Sequence, residues 1–137
     1  MKRINYTPQP GAAFAWLPIL TVTLRGPRGA QRFPMLVDSG SMETTVPAFV
    51  LRTLGVEPND EPPVRTVAFN GTALDCRLAD LEIQVGETRY RSRVAVIPDE
   101  SRAFAVLGHR DFFLNFYVGF DSQSRSFYVA EPKKRLN

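Results

Sequence analysis

Asp38 stands out by its surroundings. Residues 33–47 read FPMLVDSGSMETTVP, so the apolar run Met35-Leu36-Val37 leads straight into Asp38, Ser39, Gly40 and Ser41 before the chain turns apolar again at Val46. A carboxylate at the end of a buried strand is costly unless it is hydrogen-bonded. The residues beside it can supply those bonds. The hydroxyls of Ser39 and Ser41 can bond a carboxylate or the neighbouring backbone, and Gly40 lets the backbone approach closely or take an unusual angle. Such a loop can hold an ionised aspartate half-buried, where a carboxyl group can take and give protons. An ordinary Asx turn at a strand end uses the same residue types, so both readings stand on these residues alone.

Other chemistries find less to work with. The single cysteine, Cys76, excludes an internal disulfide and any multi-cysteine metal site; it reads as a small buried apolar residue. The single histidine, His109, gives neither a His-rich metal site nor a Cys/His pair; it reads as a solvent-facing or structural hydrogen-bonder. No metal and no cofactor are expected. Asp111, after Arg110, reads as a local ion-pair or helix-start residue. Trp16 and the Phe-rich C-terminal segment read as core or subunit contact. The formal charge of +3 is dispersed: Arg89, Arg91 and Arg93 alternate along one strand face, and Lys133, Lys134 and Arg135 form a short tail. No nucleic-acid partner is expected from that pattern. The start of the chain lacks the apolar run of a signal peptide, and no stretch approaches bilayer-spanning length, so the expectation is a soluble cytoplasmic protein with no membrane partner.

The elements that must position Asp38 are short. Of 137 residues, 44% are hydrophobic and 23% charged, with ten Phe and eleven Pro; one mainly β domain with many turns fits this composition. WLPILTVTL (16–24) and QRFPMLV (31–37) predict a hairpin that delivers Asp38 at its end, with RGPRGA (25–30) as the turn. AFVLRTLG (48–55) follows Pro47 and stops at Gly55, which predicts a short helix. VEPNDEPP (56–63) is a loop. The segment 64–85 predicts two strands around Asn70-Gly71, a dipeptide suited to tight hairpins. Residues 88–98 form the next strand, 103–108 an apolar run ending in Gly108, RDFFLNF one helical turn, and YVGFD and SFYVA the last two strands. Residues 1–13 read as a flexible arm, 14–131 as the domain and 132–137 as a basic tail.

LVDSGSMETTVP resembles the active-site segment of aspartic proteases, in which apolar residues lead into Asp-Thr/Ser-Gly. The likeness is to the retroviral-type, or retropepsin-like, group with its bacterial and cellular members. A hairpin precedes the motif; AFNGTA (68–73) sits where the family carries its flap; AVLG (105–108) matches the apolar-apolar-Gly element beside the catalytic loop, and a short helix follows. The resemblance spans roughly residues 16–130. It implies a single-lobed acid-protease fold: a closed β-barrel with one or two short helices. It implies Asp38, Ser39 and Gly40 as catalytic residues, and Ser41, Asn70, Gly71 and Thr72 as residues touching a peptide or protein substrate. The chain departs from the family in having Ser41 where alanine is frequent, His109 rather than arginine after Gly108, and one glycine at the flap tip.

The family's chemistry needs two carboxylates that share a proton. The chain has one Asp-Ser/Thr-Gly triplet, and none of the other aspartates repeats it. The resemblance therefore implies a homodimer, with Asp38 of a second copy completing the pair across a two-fold axis. An aspartic endopeptidase and a non-catalytic dimeric peptide- or protein-binding module of the same fold are both compatible with this reading, since fold does not fix function.

Overall fold

The structure, a computed structural model, describes residues 1–9, 16–67, 71, 73–101 and 103–132. Its strands are β1 (Lys2–Asn5), β2 (Thr7–Pro8), β3 (Trp16–Leu17), β4 (Ile19–Gly26), β5 (Gly29–Val37), β6 (Thr45–Pro47), β7 (Val64–Val67), β8 (Ala73–Cys76), β9 (Leu78–Val85), β10 (Thr88–Ile97), β11 (Val106–Leu107), β12 (Tyr117–Asp121) and β13 (Ser126–Ala130). Two short helices, α1 (Ala48–Leu54) and α2 (Phe112–Asn115), complete the order. Strands β10, β6, β11, β5, β4 and β9 close into a barrel in that order. The mainly β, closed-barrel architecture expected from the sequence is the one found.

Alternation builds the barrel wall. In β4, Leu20, Val22 and Leu24 point inward and are buried, while Thr21 and Thr23 point away. In β10, Tyr90, Ser92 and Val94 face in and Arg89, Arg91 and Arg93 face out, as period-two geometry requires. The alternation ends at Val94–Ile97, where every residue is buried. There β6 pairs parallel to β10 through Ala95↔Thr45, Val96↔Val46 and Ile97↔Pro47.

Helix α1 buries Val50, Leu51 and Leu54 against the barrel, each contributing about 1.5–3 kcal/mol. Its end is built locally. Gly55 adopts φ 72°, the Val56 N–H reaches back to the Leu51 carbonyl at 2.9 Å, and the helix closes in a left-handed cap that only glycine takes without strain.

Three details differ from the sequence reading. Residues 1–13, read as a loose arm, contain two strands in their described part. β1 pairs antiparallel with β13, giving the sheet β1-β13-β12, and β2 pairs with β3. Ile4 and Tyr6 pack against the main core, and the Tyr6 ring lies 6.0 Å from that of Phe127, so two side chains dock an otherwise polar stretch. Pro18 interrupts the first strand into β3 and β4, because proline has no N–H for the ladder. The segment 64–85 forms three strands rather than two, with Arg77 between β8 and β9.

A second, smaller apolar cluster holds the root of the β7–β8 hairpin: Cys76, Leu78 and Ala95 are buried, with Val64 and Leu74 against them. Val64 is opposite Cys76 in the ladder. Burial, with the charge of Asp75 adding to it, pushes the Cys76 thiol above its ordinary pKa, so the reactive thiolate is scarce at neutral pH. A maleimide or disulfide reagent should modify Cys76 at least ~100-fold more slowly in the folded protein than in denaturant. Equal rates would mean that the hairpin root is not packed. No helix among the described residues is long and apolar enough to cross a membrane.

Candidate active site

Asp38 directly follows β5 and is half-buried. Its backbone N–H donates to the Leu107 carbonyl at 3.2 Å, and its own carbonyl accepts the Ser41 N–H at 3.1 Å. Its Oδ1 accepts the Gly40 N–H at 2.9 Å. That last contact is an Asx turn, and the turn is what holds the carboxylate. The approach at Gly40 is close, since a Cβ there would sit 3.2 Å from Oδ1. Ser39 and Gly40 are exposed. The Ser41 hydroxyl turns back to donate to the Glu43 carbonyl at 2.7 Å.

The segment after β11 is laced to this loop. His109 N–H donates to Ser41 O at 2.9 Å and Arg110 N–H to Met42 O at 3.0 Å. Gly108 N–H donates to Thr44 Oγ1 at 3.0 Å, and Arg110 pairs with Glu43 at 2.7 Å. Asp111 is buried, and its carboxylate accepts the hydroxyls of Thr44 and Ser92, each at 2.5 Å. This charge-assisted node ties the start of β6, the middle of β10 and the start of α2 together. Asp111 stands at the start of α2 but makes no capping bond with its side chain. Burial, helped by the Asp111 charge, pushes the Tyr90 phenol far up, so that hydroxyl stays neutral.

Above the loop lies a cleft of about 90 Å³. Asp38, Gly40 and Ser41 form part of its wall, Thr66 and Val67 come from β7, and Ile97, Phe104 and Val106 supply apolar surface. Val67 is 70% exposed and Phe104 41% exposed, so apolar side chains stand open to solvent beside a carboxylate. The arrangement can seat an apolar segment of an extended chain and present a carboxyl group to its backbone.

The structure thus brings together Asp38, Ser39, Gly40 and Ser41 in one loop, under the strand that leads to the hairpin tip. Gly71, between β7 and β8, is exposed with φ 85°, a backbone region that favours glycine. Asn70 and Thr72, expected to touch substrate, lie outside the described residues. Sequence reading missed Thr44, Thr66, Val67 and the structural role of Asp111. Thr44 and Asp111 are 67 residues apart, a separation at which no local pattern signals a contact. Among the described residues, no group of three or more His, Cys, Asp or Glu side chains could hold a metal ion.

A family model for aspartyl protease matches residues 20–110. Among solved structures, the EIAV protease complexed with the inhibitor HBY-793 aligns with a TM-score of 0.55 at 14% sequence identity, covering 79% of this chain and 91% of that one. At that identity the likeness speaks for the fold, a retropepsin-like barrel. No curated protein matches the chain.

Proposed function

Because the chain belongs to the aspartyl protease family, matched over residues 20–110, we propose that it is an aspartic endopeptidase that works as a homodimer. The observation that carries this reading is the Asp38 carboxylate. It is half-buried, held by the Gly40 N–H at 2.9 Å, and opens onto a cleft lined in part by apolar side chains. One such carboxylate is half of the needed machinery, and Asp38 of a second copy is the other half.

Two carboxyl groups at contact distance cannot both ionise, so the pair holds one proton. The ionised member takes a proton from a water lying between them, and the water oxygen attacks the peptide carbonyl carbon. The protonated member donates to the carbonyl oxygen as it gains charge. Collapse of the tetrahedral intermediate breaks the C–N bond, and the dyad returns a proton to the leaving nitrogen. The titration belongs to the pair rather than to either residue. The substrate is an extended peptide, bound by backbone hydrogen bonds and by apolar pockets to which Val67, Ile97 and Phe104 contribute. Strands β7 and β8 with the turn at Gly71 form a flap that closes over it and keeps water out.

The test is proteolysis of a diverse peptide mixture from acid to neutral pH by the wild type and Asp38→Asn, with the solution mass of both. Cleavage by a wild-type dimer that the variant lacks supports the shared dyad. A folded dimer that cleaves nothing at any pH returns the protein to the peptide-binding reading. A monomer that cleaves through Asp38 contradicts the two-chain site.

A further inference from the structure

The exposed loop holding Asp38 is gripped from a direction the proposed mechanism does not use. Resting on the endopeptidase reading, we propose that His109 is a positioning residue: it fixes the peptide plane between Ser39 and Gly40 and, through that plane, the Asp38 carboxylate.

The Ser39–Gly40 peptide is planar, and no cis bond occurs in the described chain, so its carbonyl and its N–H point in opposite directions. The N–H donates to Asp38 Oδ1 at 2.9 Å. The carbonyl of the same peptide meets His109 Nε2 at 2.5 Å. One peptide unit therefore joins an imidazole to the carboxylate. Its rotation is blocked at both ends, and donation to its carbonyl strengthens its N–H as a donor.

The imidazole is itself held in place. The His109 backbone N–H donates to Ser41 O at 2.9 Å. Its ring stacks on Phe113 with centroids 4.6 Å apart and planes 23° from parallel. Phe113 belongs to α2, whose Phe112 is fully buried, so the stack rests on the core.

A carbonyl oxygen only accepts, so Nε2 must carry the proton, either in the Nε2–H tautomer or in the imidazolium. The contact survives both states and is stronger in the charged one. The neighbouring charges are otherwise engaged: Glu43 pairs with Arg110, and Asp111 is buried against Thr44 and Ser92. Asp38 is the carboxylate that this relay reaches.

Two substitutions separate the relay from simple packing. His109→Phe keeps a ring against Phe113 and removes the donor. His109→Gln keeps a donor of similar reach. His109→Phe is expected to lower kcat about tenfold with KM little changed; His109→Gln should recover most of that loss. Equal losses in the two variants, or a loss confined to KM, would overturn the proposal. A second readout needs no activity. In NMR, the Gly40 amide of the wild type should follow the His109 titration, and this coupling should vanish in His109→Phe. Failure of the Gly40 amide to follow it overturns the relay whether or not peptides are cut. Coupling in a dimer that cleaves nothing leaves the relay standing and removes the endopeptidase reading instead.

Discussion

Exchanging Asp38 for asparagine is expected to lower kcat/KM for every cleaved peptide by at least ~10³-fold while leaving the fold intact. The carboxamide cannot take a proton from water, so the attacking hydroxide equivalent is lost. The loop should survive, because the asparagine Oδ1 can still accept the Gly40 N–H that now meets Asp38 Oδ1 at 2.9 Å. Circular dichroism and solution mass should match the wild type. Subunit mixing makes the test sharper. If each active site takes one Asp38 from each copy, mixed dimers are inactive. Random exchange between equal amounts of wild type and variant then leaves about a quarter of the dimers active. Two independent sites would leave about half of the activity. Retention of half, or cleavage by the variant alone, would sink the shared dyad.

The second large effect belongs to Gly108. A Cβ built there would lie 2.5 Å from the Glu43 carbonyl oxygen, 2.6 Å from its carbon and 3.0 Å from the Met42 oxygen. All three are backbone atoms, so no side chain can rotate out of the way. Gly108→Ala should therefore force apart the two segments that meet there, costing about 2–4 kcal/mol and lowering Tm by about 5–15 °C. The same displacement strains the Gly108 N–H bond to Thr44 Oγ1 and the His109 N–H bond to Ser41 O, so activity should fall along with stability. Gly119→Ala is the control: nothing lies within 4 Å of the Cβ it would add, and its stability should stay within about 0.5 kcal/mol of wild type. Urea titration compares the two. A Gly108→Ala protein as stable as the wild type would mean that the contact is looser than described.

What the sequence makes legible here is what local chemistry decides. Pro47 and Gly55 bracket α1 because one starts a helix and the other ends it in the left-handed region. The β4–β5 hairpin follows from two strand-like runs around Pro27-Arg28. The alternation of Tyr90, Ser92 and Val94 with three arginines marks a wall strand, and the Asp38-Ser39-Gly40 stretch marks the candidate site. What stays hidden depends on partners distant in the chain. Lys2-Arg3-Ile4-Asn5 has little strand character of its own; it is ordered because β13, over a hundred residues away, offers it an edge. The turn at Arg77 depends on Val96, whose N–H bonds the Arg77 carbonyl at 2.8 Å. Asp111 reads as a helix-start residue, and only the folded barrel brings Thr44 and Ser92 to its carboxylate.

The lacing of residues 38–44 to residues 107–111 also has a consequence in time. Val37 and Leu107 pair as parallel neighbours, and the bonds from Asp38 and His109 cross the same gap. Contacts so distant in sequence carry a loop-closure cost and form slowly relative to hairpins such as β4–β5. During synthesis, the strand bearing Asp38 leaves the ribosome some seventy residues ahead of the segment that gives its loop a shape. A growing chain therefore carries the aspartate long before it carries the loop geometry that fixes its carboxylate, and that geometry is set only once most of the barrel has been made.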